Sequence, residues 1–393
     1  MSVLTKWTTN PGGEIPPDKV MGRDKLIKRL WRILERQSLV LTAERRMGKT
    51  CIVKKMKAEA PEGKLPVYRD LEGVRSRLEF VETVFQDVER YLSGFKRIAE
   101  QTRKLAMQLG GTEIAGVIKL PDSAAPHWKT LLTKTIEDLV KHQESTIIFF
   151  WDEMPLMLYN IKNREGEEAA MEILDTLRSQ RQMHPDLRMV FTGSIGLHNV
   201  LSSLKKSGYA NAPTNDMHIE DVPPLSIADA KKLALYLLEG EGIRTNNREA
   251  TARAIAESVD CIPYFIHHIV DQLFHYGGIV DAAVVKDIVN SYLRDPQDPW
   301  HLRHYRERID TYYAKDERPL ALNLLDVLAF TNQPLPFDKL FNLLQSRLDN
   351  AEREKARDML TLLQCDHYII QQNDSAFRFR FPLIQRYWRL HRS

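Results

Sequence analysis

Apolar positions follow two regimes along this chain. From residue 38 to about 222, short apolar runs alternate with stretches in which apolar residues recur three and four positions apart. Beyond Pro223-Pro224 only the helical spacing persists until a late hairpin. The short runs are Leu39-Val40-Leu41, Leu65-Pro66-Val67-Tyr68, Ile147 to Trp151 and Leu187 to Phe191, each read as a strand. Ile147 to Trp151 is five apolar residues without interruption, the mark of a strand covered on both faces. Helical spacing is predicted from about Asp24 (Leu26, Leu30, Ile33, Leu34), from Glu79 to Leu92, from Trp128 to Val140 and from Glu167 to Gln182. Strand and helix in alternation call for a parallel sheet with helices on both faces, an α/β arrangement.

After the double proline, helices are expected at roughly 226–239, 247–258, 263–275 and 281–293. Asp295-Pro296-Gln297-Asp298-Pro299 then interrupts the pattern. Helical faces return at about 319–330, 336–345 and 350–363. Tyr368-Ile369-Ile370 and Phe377 to Phe381 follow as the arms of a hairpin turning at Asn373-Asp374. Three helices and a terminal hairpin are the order of a winged helix.

The turn after the first strand carries the candidate chemistry. Thr42-Ala43-Glu44-Arg45-Arg46-Met47-Gly48-Lys49-Thr50, ahead of a helical stretch, is the strand–loop–helix context of a phosphate-binding P-loop. Amide groups at a helix N-terminus form a donor surface suited to phosphate oxygens. Gly48 lets the backbone approach, Lys49 supplies a point charge to β- and γ-phosphates, and the Thr50 hydroxyl suits Mg²⁺. Ala43 stands where the pattern has Gly, a difference of one methyl group. A second motif matches the first. Phe149-Phe150-Trp151-Asp152-Glu153 places two acids at the carboxyl end of a buried strand, the edge at which open α/β sheets bind ligands. Asp152 is expected to hold Mg²⁺ and Glu153 to activate water. The strand ending at Thr192-Gly193-Ser194 brings hydroxyls to the same edge.

Three domains are therefore expected: a P-loop nucleotide-binding domain over residues 1–223, a helical lid over 224–296 and a winged helix over 297–393. Residues 1–19 read as an irregular lead-in and about 94–126 as an insertion. A length of 393 residues is too great for one core, in keeping with that division. A net charge of +3 neither favours nor excludes nucleic acid. Cys51, Cys261 and Cys365 lie far apart, which excludes a zinc ribbon and argues against a disulfide framework. With no basic-then-apolar leader and no apolar run of membrane length, the expectation is a cytoplasmic protein without a membrane partner.

The chain resembles the P-loop ATPases of the AAA+ and STAND type, in particular the archaeal and prokaryotic ATPase families near the origin-recognition initiator clade. Gly22-Arg23, Arg45 to Thr50, Phe150 to Glu153 and Thr192-Gly193-Ser194 carry the match. The resemblance implies ATP or ADP with Mg²⁺, with the loop residues Ala43 to Thr50 and Cys51 around the nucleotide. It places Gly22 and Arg23 near the adenine and ribose, and makes Ser194 a polar sensor beside the catalytic Lys49 and Glu153. Cys261-Ile262-Pro263 occupies the place of a Gly-x-Pro at the lid, with Pro263 at the helix start. An arginine finger is usual after the sensor strand, yet no Arg occurs between Arg188 and Arg244, and only Lys205 and Lys206 lie near that place. Lysine does not fork onto phosphate as arginine does, so a slow ATPase or nucleotide switch fits better than a fast motor.

Partners follow from the last hundred residues. Charges on helix 350–363 cancel, whereas Arg378 and Arg380 alternate with three Phe and Arg386, Arg389 and Arg392 follow with no acid after Asp374. Arg378, Arg380, Arg386 and Arg389 are thus candidates for contact with DNA or a protein partner, set against a solvated basic face docked on the ATPase domain or on a partner. The resulting reading is a regulatory ATPase that couples nucleotide state to its lid and winged helix, engaging a protein partner, a second copy or DNA. Its alternatives are a non-hydrolysing nucleotide-binding adaptor and a loader acting in DNA replication or transposition.

Overall fold

The computed structural model describes residues 7–92, 99–114, 117–194, 196–206, 208–209, 211–349 and 351–392. Parts of the lead-in (1–6) and of the expected insertion (93–98, 115 and 116), and the Lys206 side chain, lie outside that description. The chain divides into two compact units. A sheet unit comprises Asp24–Thr42 and Lys49–Val222, and a helical unit comprises Met1–Arg23, Ala43–Gly48 and Pro223–Ser393.

The sheet unit begins with α1 (Asp24–Leu34), whose buried face is Ile27, Leu30 and Leu34, and continues into β1 (Ser38–Thr42). Helix α2 (Lys49–Ala58), β2 (Lys64–Asp70) and α3 (Arg77–Leu92) follow. The expected insertion contains α4 (Ala99–Gln108) and a small hairpin of β3 (Thr112–Ile114) and β4 (Val117–Lys119). Glu82 of α3 fastens it, accepting from Lys119 Nζ at 2.9 Å and from the Leu120 amide at 2.6 Å. Then come α5 (Trp128–Lys141), β5 (Thr146–Asp152), α6 (Met154–Glu165), α7 (Glu167–Met183), β6 (Leu187–Phe191), α8 (Leu197–Lys206) and β7 (Met217–Asp221).

The five strands stand in the order β2-β5-β6-β1-β7. Every pairing between them is parallel. Residues Ile147 to Asp152 are all buried, so β5 is covered on both faces, as its unbroken apolar run requires. Its aromatic side chains fill the core: Trp151 stacks on Phe149 and Phe191 and meets Phe80 edge-on. This order sets β6 between β5 and β1 and draws the carboxyl ends of those three strands together.

In the helical unit, α9 (Ile227–Gly240), α10 (Arg248–Ser258), α11 (Pro263–Tyr276) and α12 (Ala282–Arg294) match the expected helices within a residue or two. Ser226, Asn247 and Asp281 accept hydrogen bonds from first-turn amides of α9, α10 and α12, which fixes those starts. Helices α13 (His304–Tyr312), α14 (Arg318–Phe330), α15 (Phe337–Gln345) and α16 (Arg353–Cys365) lead to a small sheet of β8 (Leu335–Pro336), β9 (Ile369–Gln371) and β10 (Ala376–Phe379) in the order β8-β10-β9. The expected three helices and hairpin are present, with one further strand and a last helix, α17 (Pro382–Arg392).

Candidate functional site

Lys49 opens α2, with Thr50 and Cys51 in its first turn. The Thr50 hydroxyl donates to Asp152 Oδ2 at 2.6 Å, although 102 positions separate the two residues. Asp152 ends β5, in register with Asp70 at the end of β2. Burial pushes the Asp152 carboxyl up from its ordinary range, against the bond from Thr50, while nearby Asp70 adds to the rise. Lys49 is itself buried, only 8% exposed, and its charge opposes that rise. Among the described residues no group of three or more His, Cys, Asp or Glu could hold a metal ion. One hydroxyl and one carboxylate side by side are instead the donor set that suits Mg²⁺ shared with phosphate oxygens.

Glu153 follows with φ 55°, a left-handed conformation at the N-cap of α6. That turn swings its carboxylate across to the end of β6. There the Ser194 hydroxyl donates to Glu153 Oε2 at 2.8 Å, and the Ser194 amide donates to the same carboxylate at 3.0 Å. Gly193 permits the approach, since a Cβ there would stand 2.8 Å from Pro155 Cδ and 3.4 Å from Glu153 Cα. Burial raises the Glu153 carboxyl above its usual value, opposed by the Ser194 bonds. Beside it the Thr192 hydroxyl is buried with no hydrogen-bond partner among the described residues. The sheet unit thus gathers Lys49, Thr50, Asp152, Glu153 and Ser194 at one sheet edge.

Loop residues 43–48 belong to the helical unit. Gly48 has φ 87°, and Arg46 takes φ 73° although it carries a side chain. The Arg46 guanidinium lies 4.1 Å from the centre of the Tyr264 ring. Arg23 is buried and braces the loop, donating to the Met47 carbonyl at 2.9 Å and to the Pro223 carbonyl at 2.8 Å. Gly22 lies beside Asp229 and Leu225. Pro263 occupies the first turn of α11, preceded by Cys261 at φ 57°. A positive φ favours glycine, which accounts for the Gly of the resembling families at that place. Arg45 is exposed.

Glu44 departs from a plain phosphate loop. Its carboxylate is fully buried and accepts from Arg308 Nη1 at 3.0 Å and from the Arg45 amide at 2.7 Å. Burial pushes its pKa up, but the charges of Arg308 and His304 outweigh that and hold it at about 2. Arg308 also donates to Asp366 Oδ1 at 3.0 Å, and Asp366 accepts from the Tyr313 hydroxyl at 2.6 Å. Sequence reading placed Glu44 in the loop but missed Arg308. The available signal was an acid inside a loop whose sequence reads as anion-binding, which calls for a cation from elsewhere in the chain.

The hairpin alternates as expected, with Phe377, Phe379 and Phe381 buried. The basic residues are half-buried and engaged within the unit. Arg380 meets His367 Nδ1 at 2.8 Å, Arg386 donates to Asn290 Oδ1 at 2.9 Å, and Arg389 donates to the Ala329 carbonyl at 2.8 Å. Arg378 lies near Asp260, its Nε buried without a hydrogen-bond partner among the described residues.

A scan against protein-family models finds no match, and a search of curated proteins finds none either. Among solved structures, the chain is similar to a Walker-type ATPase of Pyrococcus abyssi, with a TM-score of 0.64 at 14% identity, covering 97% of this chain and 99% of that one. The fold is that of a P-loop ATPase. Weaker likenesses are to the ORC2 protein of Aeropyrum pernix in its ADP form (TM-score 0.49, 11% identity, 97% of each chain) and to a STAND protein with a tetratricopeptide repeat sensor from Pyrococcus horikoshii. The latter has a TM-score of 0.38 at 13% identity, and covers 98% of this chain but 44% of that one. Among the described residues no helix is long and apolar enough to cross a membrane.

Proposed function

We propose that the protein is an ATP- and Mg²⁺-dependent regulatory ATPase, a slow nucleotide switch. The observation that carries this reading is the Thr50–Asp152 hydrogen bond at 2.6 Å, which joins the two sequence motifs at one point of the sheet edge. Lys49 and the backbone of residues 43–48 bind the phosphates, and Thr50 and Asp152 hold the metal. When bound, Mg²⁺ neutralises charge on the phosphate oxygens. Glu153 orients a water and takes its proton at a carboxylate oxygen, a role favoured by a pKa raised through burial. Ser194 holds that carboxylate and reports on it as a sensor.

Nucleotide state then changes the position of the lid (224–296) and of the winged-helix region (297–393), and a protein partner or a second copy reads that change. The committed guanidinium groups of Arg380, Arg386 and Arg389 favour a protein reader over DNA. Phosphate release by wild type and by Glu153→Gln tests the hydrolytic role. A loss on the order of 10² or more supports it, and equal rates would remove Glu153 from the mechanism.

A further inference from the structure

We infer that Arg308 is a positioning residue for the phosphate loop, acting through Glu44. The inference rests on the nucleotide reading above and adds to it a residue far from either motif. A carboxylate inside an anion-binding loop opposes the ligand twice. It repels phosphate charge, and it competes for the donors that phosphate needs. Glu44 does the second visibly, because it accepts the Arg45 amide at 2.7 Å. Arg308 counters the first effect. Its Nη1 lies 3.0 Å from Glu44 Oε1 and 3.3 Å from Oε2, so the negative charge is matched where it sits. The same guanidinium is anchored from behind by Asp366, by the Asp366 carbonyl at 3.3 Å, and by the Tyr368 ring, whose centre lies 5.2 Å away. His304 Nε2 stands 3.8 Å from Glu44 and lends a second, weaker partner.

The pair is internal, with side-chain exposures of 12% for Arg308 and 0% for Glu44, so solvent does not replace either partner when the other is lost. The conformation and charge of the loop are therefore set from α13 and from the end of α16. A phosphate loop tuned in this way has its affinity for nucleoside triphosphate governed by a residue that never touches the nucleotide.

The test measures the dissociation constant of a fluorescent ATP analogue with Mg²⁺, together with the thermal midpoint, for wild type, Arg308→Gln, Arg308→Lys and the double variant Glu44→Gln/Arg308→Gln. Arg308→Gln is expected to weaken binding more than about tenfold, whereas the double variant, which removes the carboxylate along with its counter-ion, returns to within about threefold of wild type. A purely structural pair would move the thermal midpoint in that same order, since the double variant leaves no buried charge unpaired, but would leave the nucleotide affinity of every folded variant within about threefold of wild type. Binding by folded Arg308→Gln within about threefold of wild type, or a double variant as weak as the single one, overturns the inference. Should Arg308→Gln not fold, Arg308→Lys decides: it keeps the charge but does not fork between Glu44 and Asp366, so binding is expected to weaken more than about threefold, and binding within about threefold of wild type overturns the claim. Wild type that binds no nucleotide would instead overturn the reading on which all of this stands.

Discussion

The hydroxyl of Thr50, in the first turn of the helix after the loop, donates to the carboxylate of Asp152 at the end of β5, 2.6 Å away. Asp152 is buried at 3% exposure, and burial raises its pKa above the ordinary carboxylate range, so its charge weakens the ligand-free fold at neutral pH. Asp152→Asn is therefore expected to raise the thermal midpoint of the ligand-free protein while abolishing the part of nucleotide affinity that depends on Mg²⁺. Calorimetry without ligand and titration with and without Mg²⁺ check the two halves separately.

Ser194 and Glu153 form the second relationship. Removing the Ser194 hydroxyl leaves the Ser194 amide on Glu153 but releases one of the bonds that orients the carboxylate. Ser194→Ala is expected to lower turnover by about tenfold with nucleotide affinity unchanged, the pattern of an interaction that matters in the transition state alone. A parallel rise in the dissociation constant would move Ser194 from chemistry to binding.

Much of this arrangement was legible in the sequence, for a physical reason. Buried parallel strands must be apolar throughout, so Leu39 to Leu41, Ile147 to Trp151 and Leu187 to Phe191 stood out, and the acids and hydroxyls that end them marked the edge of the candidate site. Strand β7 escaped notice because Met217-His218-Ile219-Glu220-Asp221 lies at the sheet margin and keeps polar residues, with Ile219 exposed. Helix α17 escaped because Pro382 reads as a break, whereas in the first turn of a helix its missing amide costs nothing. The sequence left the basic residues of the hairpin and of the segment after it open between partner contact and a docked face; that Arg380, Arg386 and Arg389 meet His367, Asn290 and the Ala329 carbonyl depends on tertiary neighbours that periodicity does not encode. Arg308 is the clearest case, since 264 positions separate it from Glu44.

Asp260 supplies a pH prediction. It accepts the Leu383 amide at 2.7 Å at the start of α17, and burial pushes its carboxyl up to about 6, with Arg386 and Arg378 opposing. The unfolded chain releases this proton near its ordinary 3.8, while the folded chain keeps it until about 6. Folded protein therefore holds the extra proton between those values, and its stability falls as pH rises through that window, by up to about 3 kcal/mol. Asp260→Asn retains an oxygen to accept from Leu383 and removes the titration. Its thermal midpoint is expected to exceed that of wild type at pH 7.5, with the gap closing by pH 4; a gap independent of pH refutes the assignment.

Asp326 holds the last helix. It accepts from Trp388 Nε1 at 2.8 Å and from Arg392 at 3.0 and 2.7 Å. Trp388 is buried, so Asp326→Ala strands an indole N–H away from water and is expected to cost about 2 kcal/mol. Chemical denaturation reads that loss directly, and nucleotide affinity should not follow it.

The central claim is that the loop ending in Lys49-Thr50 holds a Mg²⁺-bound nucleoside triphosphate against Asp152. Equilibrium binding of a fluorescent ATP analogue to wild type and Lys49→Ala, each with and without Mg²⁺, tests it most directly. The account predicts saturable binding to wild type that strengthens with Mg²⁺ and falls by at least about a hundredfold in folded Lys49→Ala. Equal binding by the two proteins, or no binding by wild type, would contradict it.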